Sequence, residues 1–147
     1  MKRLLILFFL LFPGTLFANF GGGGGFSKAD SEDSLKEIKQ TIEDKKYADA
    51  IKLLKKHIKK DANSADAYNY LGFSYRKSGN LPEAFKAYDK ALALDPKHLG
   101  AHEYLGEAYL MNKEPEKANE MLIRLKELCG NCEEYLDLEK AIAADRH

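Results

Sequence analysis

A period of 34 residues constrains this 147-residue chain more than any other feature: Leu71, Gly72, Tyr75 and Ala84 recur as Leu105, Gly106, Tyr109 and Ala118. A fixed repeat of this length means helical hairpins stacked side by side, none able to bury its apolar face alone. The expected class is therefore all-α, a solenoid that works by presenting a surface, and the expected activity is binding.

Helical periodicity begins at Ser34. Ser34 and Glu37 have capping-box spacing, and Leu35, Ile38 and Ile42 share one face of a first helix that ends near Asp44. Tyr47, Ala50, Ile51, Leu54 and Ile58 form the stripe of a second helix, which the break from Asp61 to Ser64 ends. A third carries Tyr68, Leu71, Gly72 and Tyr75 and stops at Ser78-Gly79. Asn80 and Glu83 again have reciprocal-cap spacing, and a fourth helix buries Ala84, Phe85, Tyr88, Ala91 and Leu92 before Asp95-Pro96 terminates it. Two more follow the same plan, with Leu105, Gly106 and Tyr109 on one and Ala118, Leu122 and Leu125 on the other, which starts at Pro115. Asn131 with Glu134 is a further expected cap, for a closing helix over 131–147 whose Tyr135, Leu138, Ala141 and Ile142 would cover the last hairpin.

On these residues the chain resembles the tetratricopeptide repeat family. That pattern pairs a large aromatic, Leu-Gly and Tyr on one helix with Ala, an aromatic and Ala on the next, and closes on Pro. Residues 65–98 match almost throughout, with Tyr68, Leu71, Gly72, Tyr75, Ala84, Tyr88, Ala91 and Pro96 in place. Residues 99–130 match in part: His102 takes the aromatic position, Leu122 and Leu125 replace the aromatic and the second Ala, and Gly130 replaces Pro. In residues 34–62 only Ala50 and Leu54 fall in register, as in a degenerate repeat capping the amino-terminal end. The resemblance implies a right-handed helical-hairpin solenoid of about three repeats over 34–130, closed by a capping helix, and a concave groove that receives an extended peptide or a partner's helix. The chain also looks like small secreted bacterial repeat proteins that end in a cysteine pair and an acidic helix.

Helical steps assign the groove. Opposite Tyr68, Leu71 and Tyr75 lie Asp66, Asn69, Phe73 and Arg76, and one repeat later Glu103, Glu107 and Leu110, with Tyr70 and Tyr104 flanking the same face. The candidate contacts are thus Asn69, Tyr70, Phe73, Arg76, Glu103, Tyr104, Glu107 and Leu110. Family members that clamp a carboxy-terminal carboxylate use a Lys/Asn/Arg set over three hairpins, of which only Asn69 has a counterpart here, and Glu103 and Glu107 would repel such a ligand. An Asn/Arg/Phe wall facing two glutamates suits a peptide with both apolar and basic character. Simple solvation of a helix face is the other account of these polar residues.

The amino terminus reads as an export signal: Lys2 and Arg3, an apolar run from Leu4 to Phe12, then Pro13, Gly14 and Ala18. The run is shorter than the roughly 20 residues a membrane span needs, so cleavage after Ala18 is expected and the destination is the periplasm or the medium. Leu16 is large for its place before the cut, which leaves an uncleaved anchor as the alternative. Asn19, not cysteine, follows the cut, against a lipoprotein. Lys plus Arg and Asp plus Glu number 23 each, so losing Lys2 and Arg3 leaves two excess negative charges and no global attraction for nucleic acid or anionic lipid. Residues 19–33, with five consecutive glycines from Gly21 to Gly25, read as a flexible tether.

Cys129 and Cys132 are the one compact reactive pair. In an exported chain this spacing most simply forms a disulfide locking the last turn, worth about 2 kcal/mol by loop entropy. Thiol-disulfide exchange is the competing reading, since Cys132 stands at a helix start, but the strand that precedes a thioredoxin-like motif is missing. Haem attachment fails because Glu133 stands where His is required. The histidines at 57, 98, 102 and 147 have no ligand spacing, so neither metal nor another cofactor is expected. Lys52, Lys55, Lys56, Lys59 and Lys60 line one side of the second helix, as a solvated face or a dock for an acidic partner. No nucleophile, base or phosphate-binding glycine loop emerges. The leading expectation is a non-enzymatic adaptor of the cell envelope. A thiol or metal-handling protein using the cysteine pair and a self-associating solenoid are the alternatives.

Overall fold

The computed structural model describes residues 27–145. The signal segment and the glycine run lie outside the described residues. Those described form seven helices and no strand: α1 (Lys28–Glu43), α2 (Tyr47–Lys60), α3 (Ala65–Lys77), α4 (Leu81–Leu94), α5 (Leu99–Met111), α6 (Pro115–Cys129) and α7 (Glu133–Asp145). Each of α1–α2, α3–α4 and α5–α6 is an antiparallel hairpin. The odd-numbered helices also touch one another in succession, whereas α2, α4 and α6 meet only their neighbours in sequence. The odd helices therefore make the inner layer of an all-α solenoid and the even ones its outer layer.

One turn device closes all three hairpins. Lys45, Gly79 and Lys113, spaced by the 34-residue period, have left-handed φ values of 60°, 79° and 62°. The next amide then reaches back five residues, from Lys46 to the Thr41 carbonyl at 3.1 Å, from Asn80 to Tyr75 at 2.9 Å and from Glu114 to Tyr109 at 2.9 Å. These bonds satisfy carbonyls the ending helix would leave orphaned. The first hairpin is degenerate in side chains but shares this backbone with the other two.

Packing between the two helices of a hairpin follows size. Ala50, Ala84 and Ala118, one per hairpin at the same position, are all fully buried where the outer helix crosses the inner one. Tyr88 is also fully buried, and a Cβ on Gly72 would lie only 2.5 Å from its Cε1 and 2.6 Å from its Cδ1. One period earlier the same two places hold Ile38 and Leu54, both buried in one cluster. A bulky inner residue is thus tolerated where the outer one is smaller, and glycine is needed where it is tyrosine.

The structure corrects two helix starts and one half of a third cap. The first helix begins at Lys28, and its capping box is Ser27 with Asp30, not Ser34 with Glu37. Residues 28–33, expected in the tether, are helical. Their inclusion lets Ser31 Oγ donate to Asp61 Oδ2 at 3.2 Å, and Ser34 Oγ lies 3.2 Å from His57 Nδ1, so both serines serve the hairpin. Asn80 Oδ1 accepts from the Glu83 amide at 3.4 Å, but the Glu83 carboxylate turns to Lys86 Nζ at 2.6 Å instead of closing the box. At α7 the helix begins at Glu133, so Asn131 is too early to cap it, and its side chain accepts from Lys126 Nζ. Leu138 and Ile142 of α7 are buried against Leu110, Ala118 and Leu125, as expected of a capping helix. No described helix is long and apolar enough to cross a membrane.

Candidate functional site

The groove is built from the inner faces of α1, α3, α5 and α7. His98 fixes α5 against α3: its Nδ1 accepts from the Ala101 amide at 3.1 Å, capping α5, so Nε2 carries the hydrogen and meets Asp66 Oδ1 at 3.1 Å. That bond holds the Asp66 carboxyl below the usual carboxylate range. With the two helices so placed, residues four and seven apart on each project into one seam.

Three aromatic rings run along that seam. Phe73 of α3 lies 5.0 Å from Tyr104 of α5, ring centre to ring centre, and 6.2 Å from Tyr47 at the start of α2. All three are half-buried. The Arg76 guanidinium sits over both Phe73 and Tyr104, at 5.3 and 5.6 Å from their centres, a cation–π arrangement that limits ring movement. Burial, followed by the nearby Glu103 and Glu107 carboxylates, pushes the Tyr104 hydroxyl up to about 12.

The eight candidate contacts divide into an open and a closed set. Tyr70, Phe73, Tyr104 and Glu107 are half-exposed. Arg76 is 5% exposed, pairs with Glu107 through Nη1 and donates from Nε to the Tyr88 hydroxyl at 3.4 Å. Asn69 is 3% exposed and packs its amide against Gly100, so it is a helix-contact residue and not an open hydrogen-bonding group. Leu110 is buried with α6 and α7, though one edge lines the groove. Glu103 is 8% exposed. The structure thus brings Phe73, Arg76, Glu103, Tyr104 and Glu107 together, while Tyr70 belongs to a separate basin beside α1, under Lys39 at 5.9 Å.

Two cavities mark these basins. One, of about 450 Å³, lies between α1 and α3 and is lined by Leu35, Lys39, Gln40, Asp66 and Tyr70. The other, of about 460 Å³, lies among α3, α5 and α7 and is lined by Arg76, Glu107, Leu110, Met111 and Ala141. Sequence reasoning missed three residues of this surface. Tyr47 passed as one more apolar residue of an outer helix. Glu134 and Asp137 of α7 act on Glu103 across the groove, and Glu134 had a plausible local role as a cap. Their i, i+3 spacing on the capping helix was the available signal.

Cys129 and Cys132 lie side by side at the α6–α7 turn, with Cα atoms 5.6 Å apart and Gly130 between them at φ 74°. Among the described residues no group of three or more His, Cys, Asp and Glu side chains is placed to hold a metal ion.

Comparison with known proteins agrees with this geometry. The tetratricopeptide repeat family matches residues 65–98 and again residues 87–118. Hsp70-Hsp90 organizing protein 3 of Arabidopsis thaliana is 30% identical over 95 residues, which is 65% of this chain and only 17% of that relative's length. The chain thus corresponds to a small part of the relatives it matches. The first tetratricopeptide domain of Spaghetti, bound to an HSP90 peptide, superposes with a TM-score of 0.71 at 20% identity, covering 85% of this chain and all of that one. The chaperone SycD of Yersinia enterocolitica, in complex with a peptide of the translocator YopD, gives 0.70 at 21% identity, with 82% and 92% covered. The 34-residue period, the hairpin turns that share it, the buried alanine that recurs in every hairpin and these matches agree: the chain is a tetratricopeptide repeat protein.

Proposed function

We propose that this protein is a non-enzymatic adaptor that holds an extended peptide, or one helix of a partner protein, along the groove formed by α1, α3, α5 and α7. The observation that carries the reading is the half-open ladder of Tyr47, Phe73 and Tyr104. Phe73 and Tyr104, already held by Arg76, offer large contact area with little further entropy to lose on binding. The peptides held by the solved relatives, at a similarity that speaks for the fold, support a peptide as the class of ligand. Phe73→Ala combined with Tyr104→Ala should reduce partner recovery in crosslinked co-purification about tenfold or more while helicity is retained. Equal recovery from wild type and the double variant would place binding elsewhere. Asn69→Ala is unsuited to this test because it opens a helix contact.

The adaptor acts, on this proposal, outside the cytoplasm. Leu4 to Phe12 with Ala18 supports export, and a Cys129–Cys132 disulfide there would brace α6 to α7 without redox turnover. Intact mass of the natively expressed protein is expected to begin at Asn19 and to lack two hydrogens relative to the dithiol. A mass that includes Met1, or free thiols in freshly isolated protein, would overturn this assignment.

A further inference from the structure

Glu103 is a largely buried residue whose carboxyl oxygens still open to the groove. It lies on the inner face of α5, 8% exposed, and no hydrogen bond or ion pair with another described residue engages it. The charges acting on it are Glu107 on its own helix and Glu134 and Asp137 on α7, opposed by Arg76 of α3, which is already committed to Glu107. Tyr104 is the remaining titratable neighbour on α5. Burial first, then the three carboxylates, pushes the Glu103 carboxyl up to about 8. Packing α5 against α7 does not require this arrangement, since Gln or an apolar residue at 103 would relieve it. The carboxylates do not gather into a metal-binding group. Further along the α5–α7 seam, a cavity of about 460 Å³ is lined by Leu110, Ala141 and Ala144 together with Arg76, Glu107, Lys113 and Asp145.

We propose that the α5–α7 side of the groove is a subsite for one basic side chain of the bound peptide, with the ammonium or guanidinium among Glu103, Glu134 and Asp137. It rests on the groove reading. An arriving cation supplies the opposite charge that Glu103 lacks, so binding below about pH 8 releases the Glu103 proton to solvent, and affinity rises with pH as that cost disappears.

The test uses the folded mature chain and two probes, acetyl-Phe-Arg-amide and its neutral isostere acetyl-Phe-citrulline-amide, followed by amide NMR. Both probes should shift the Phe73 and Tyr104 signals, and only the arginine probe those of Glu103, Glu134 and Asp137. The arginine probe is expected to bind about tenfold tighter than the isostere near pH 8.5, and only about two- to threefold tighter near pH 6. Glu134→Gln with Asp137→Asn, on the more exposed side of the subsite, should erase the preference, and Glu103→Gln should remove its pH dependence. Equal binding of the two probes, or a preference that survives in the double variant, overturns the subsite while leaving the groove intact. If neither probe reaches Phe73 and Tyr104, the groove reading falls and the subsite with it.

Discussion

Arg76→Ala is expected to lower stability by about 3 kcal/mol, seen as a fall of roughly 10 °C in the thermal midpoint. Arg76 is buried between α3 and α5, where its guanidinium serves Glu107, the Tyr88 hydroxyl and the faces of Phe73 and Tyr104 together. Its planar, weakly hydrated group suits that mixture, and lysine would not replace it. Removal leaves Glu107 without its cation beside the already uncompensated Glu103 carboxyl. Because Glu107 is 27% exposed and water can reach it, the loss falls at the lower end for a broken buried pair. Adding Glu107→Gln to Arg76→Ala should recover about 1 kcal/mol, since the stranded charge is then gone. A single variant within about 0.5 kcal/mol of wild type in urea unfolding would show that the cluster is not structural.

Gly72→Ala should cost about 2 kcal/mol net, although alanine is the better helix former. Alanine contributes about 1 kcal/mol through helix propensity, but its methyl group would stand 2.5 to 2.9 Å from three atoms of the Tyr88 ring. Tyr88 cannot swing away: it is fully buried and its hydroxyl accepts from Arg76. The first hairpin shows the compensation, with Ile38 and Leu54 in the equivalent places. Gly72→Ala with Tyr88→Leu should therefore lose less than the sum of the two single changes, measured by denaturant unfolding. Simple additivity would mean that the two positions do not share one space.

Much of the fold was legible because helix phase and turn chemistry are local. The 34-residue recurrence gave the hairpins, Pro96 and Gly79 their boundaries, and the stripe of Leu138 and Ile142 a capping helix. The start of α1 was not legible. Ser27-x-x-Asp30 and Ser34-x-x-Glu37 are both capping patterns, and what separates them is a bond from Ser31 to Asp61 across the hairpin. The same limit applied to Asn131, whose side chain is taken by Lys126 in a turn that brings α6 and α7 together.

For the groove, sequence by itself determined the face on which Asn69, Phe73, Arg76, Glu103 and Glu107 lie, since a helix turns about 100° per residue whatever surrounds it. Only the tertiary structure decided which of them ligand can reach. Exposure depends on how closely the next helix crosses, and α5 passes near enough to α3 to bury Asn69 and Arg76 while leaving Phe73 and Tyr104 half-open. It also decided that Tyr47, Glu134 and Asp137, from helices with no assigned place in the groove, join it. Period fixes direction along each helix, and the distance between helices fixes the environment into which a side chain points.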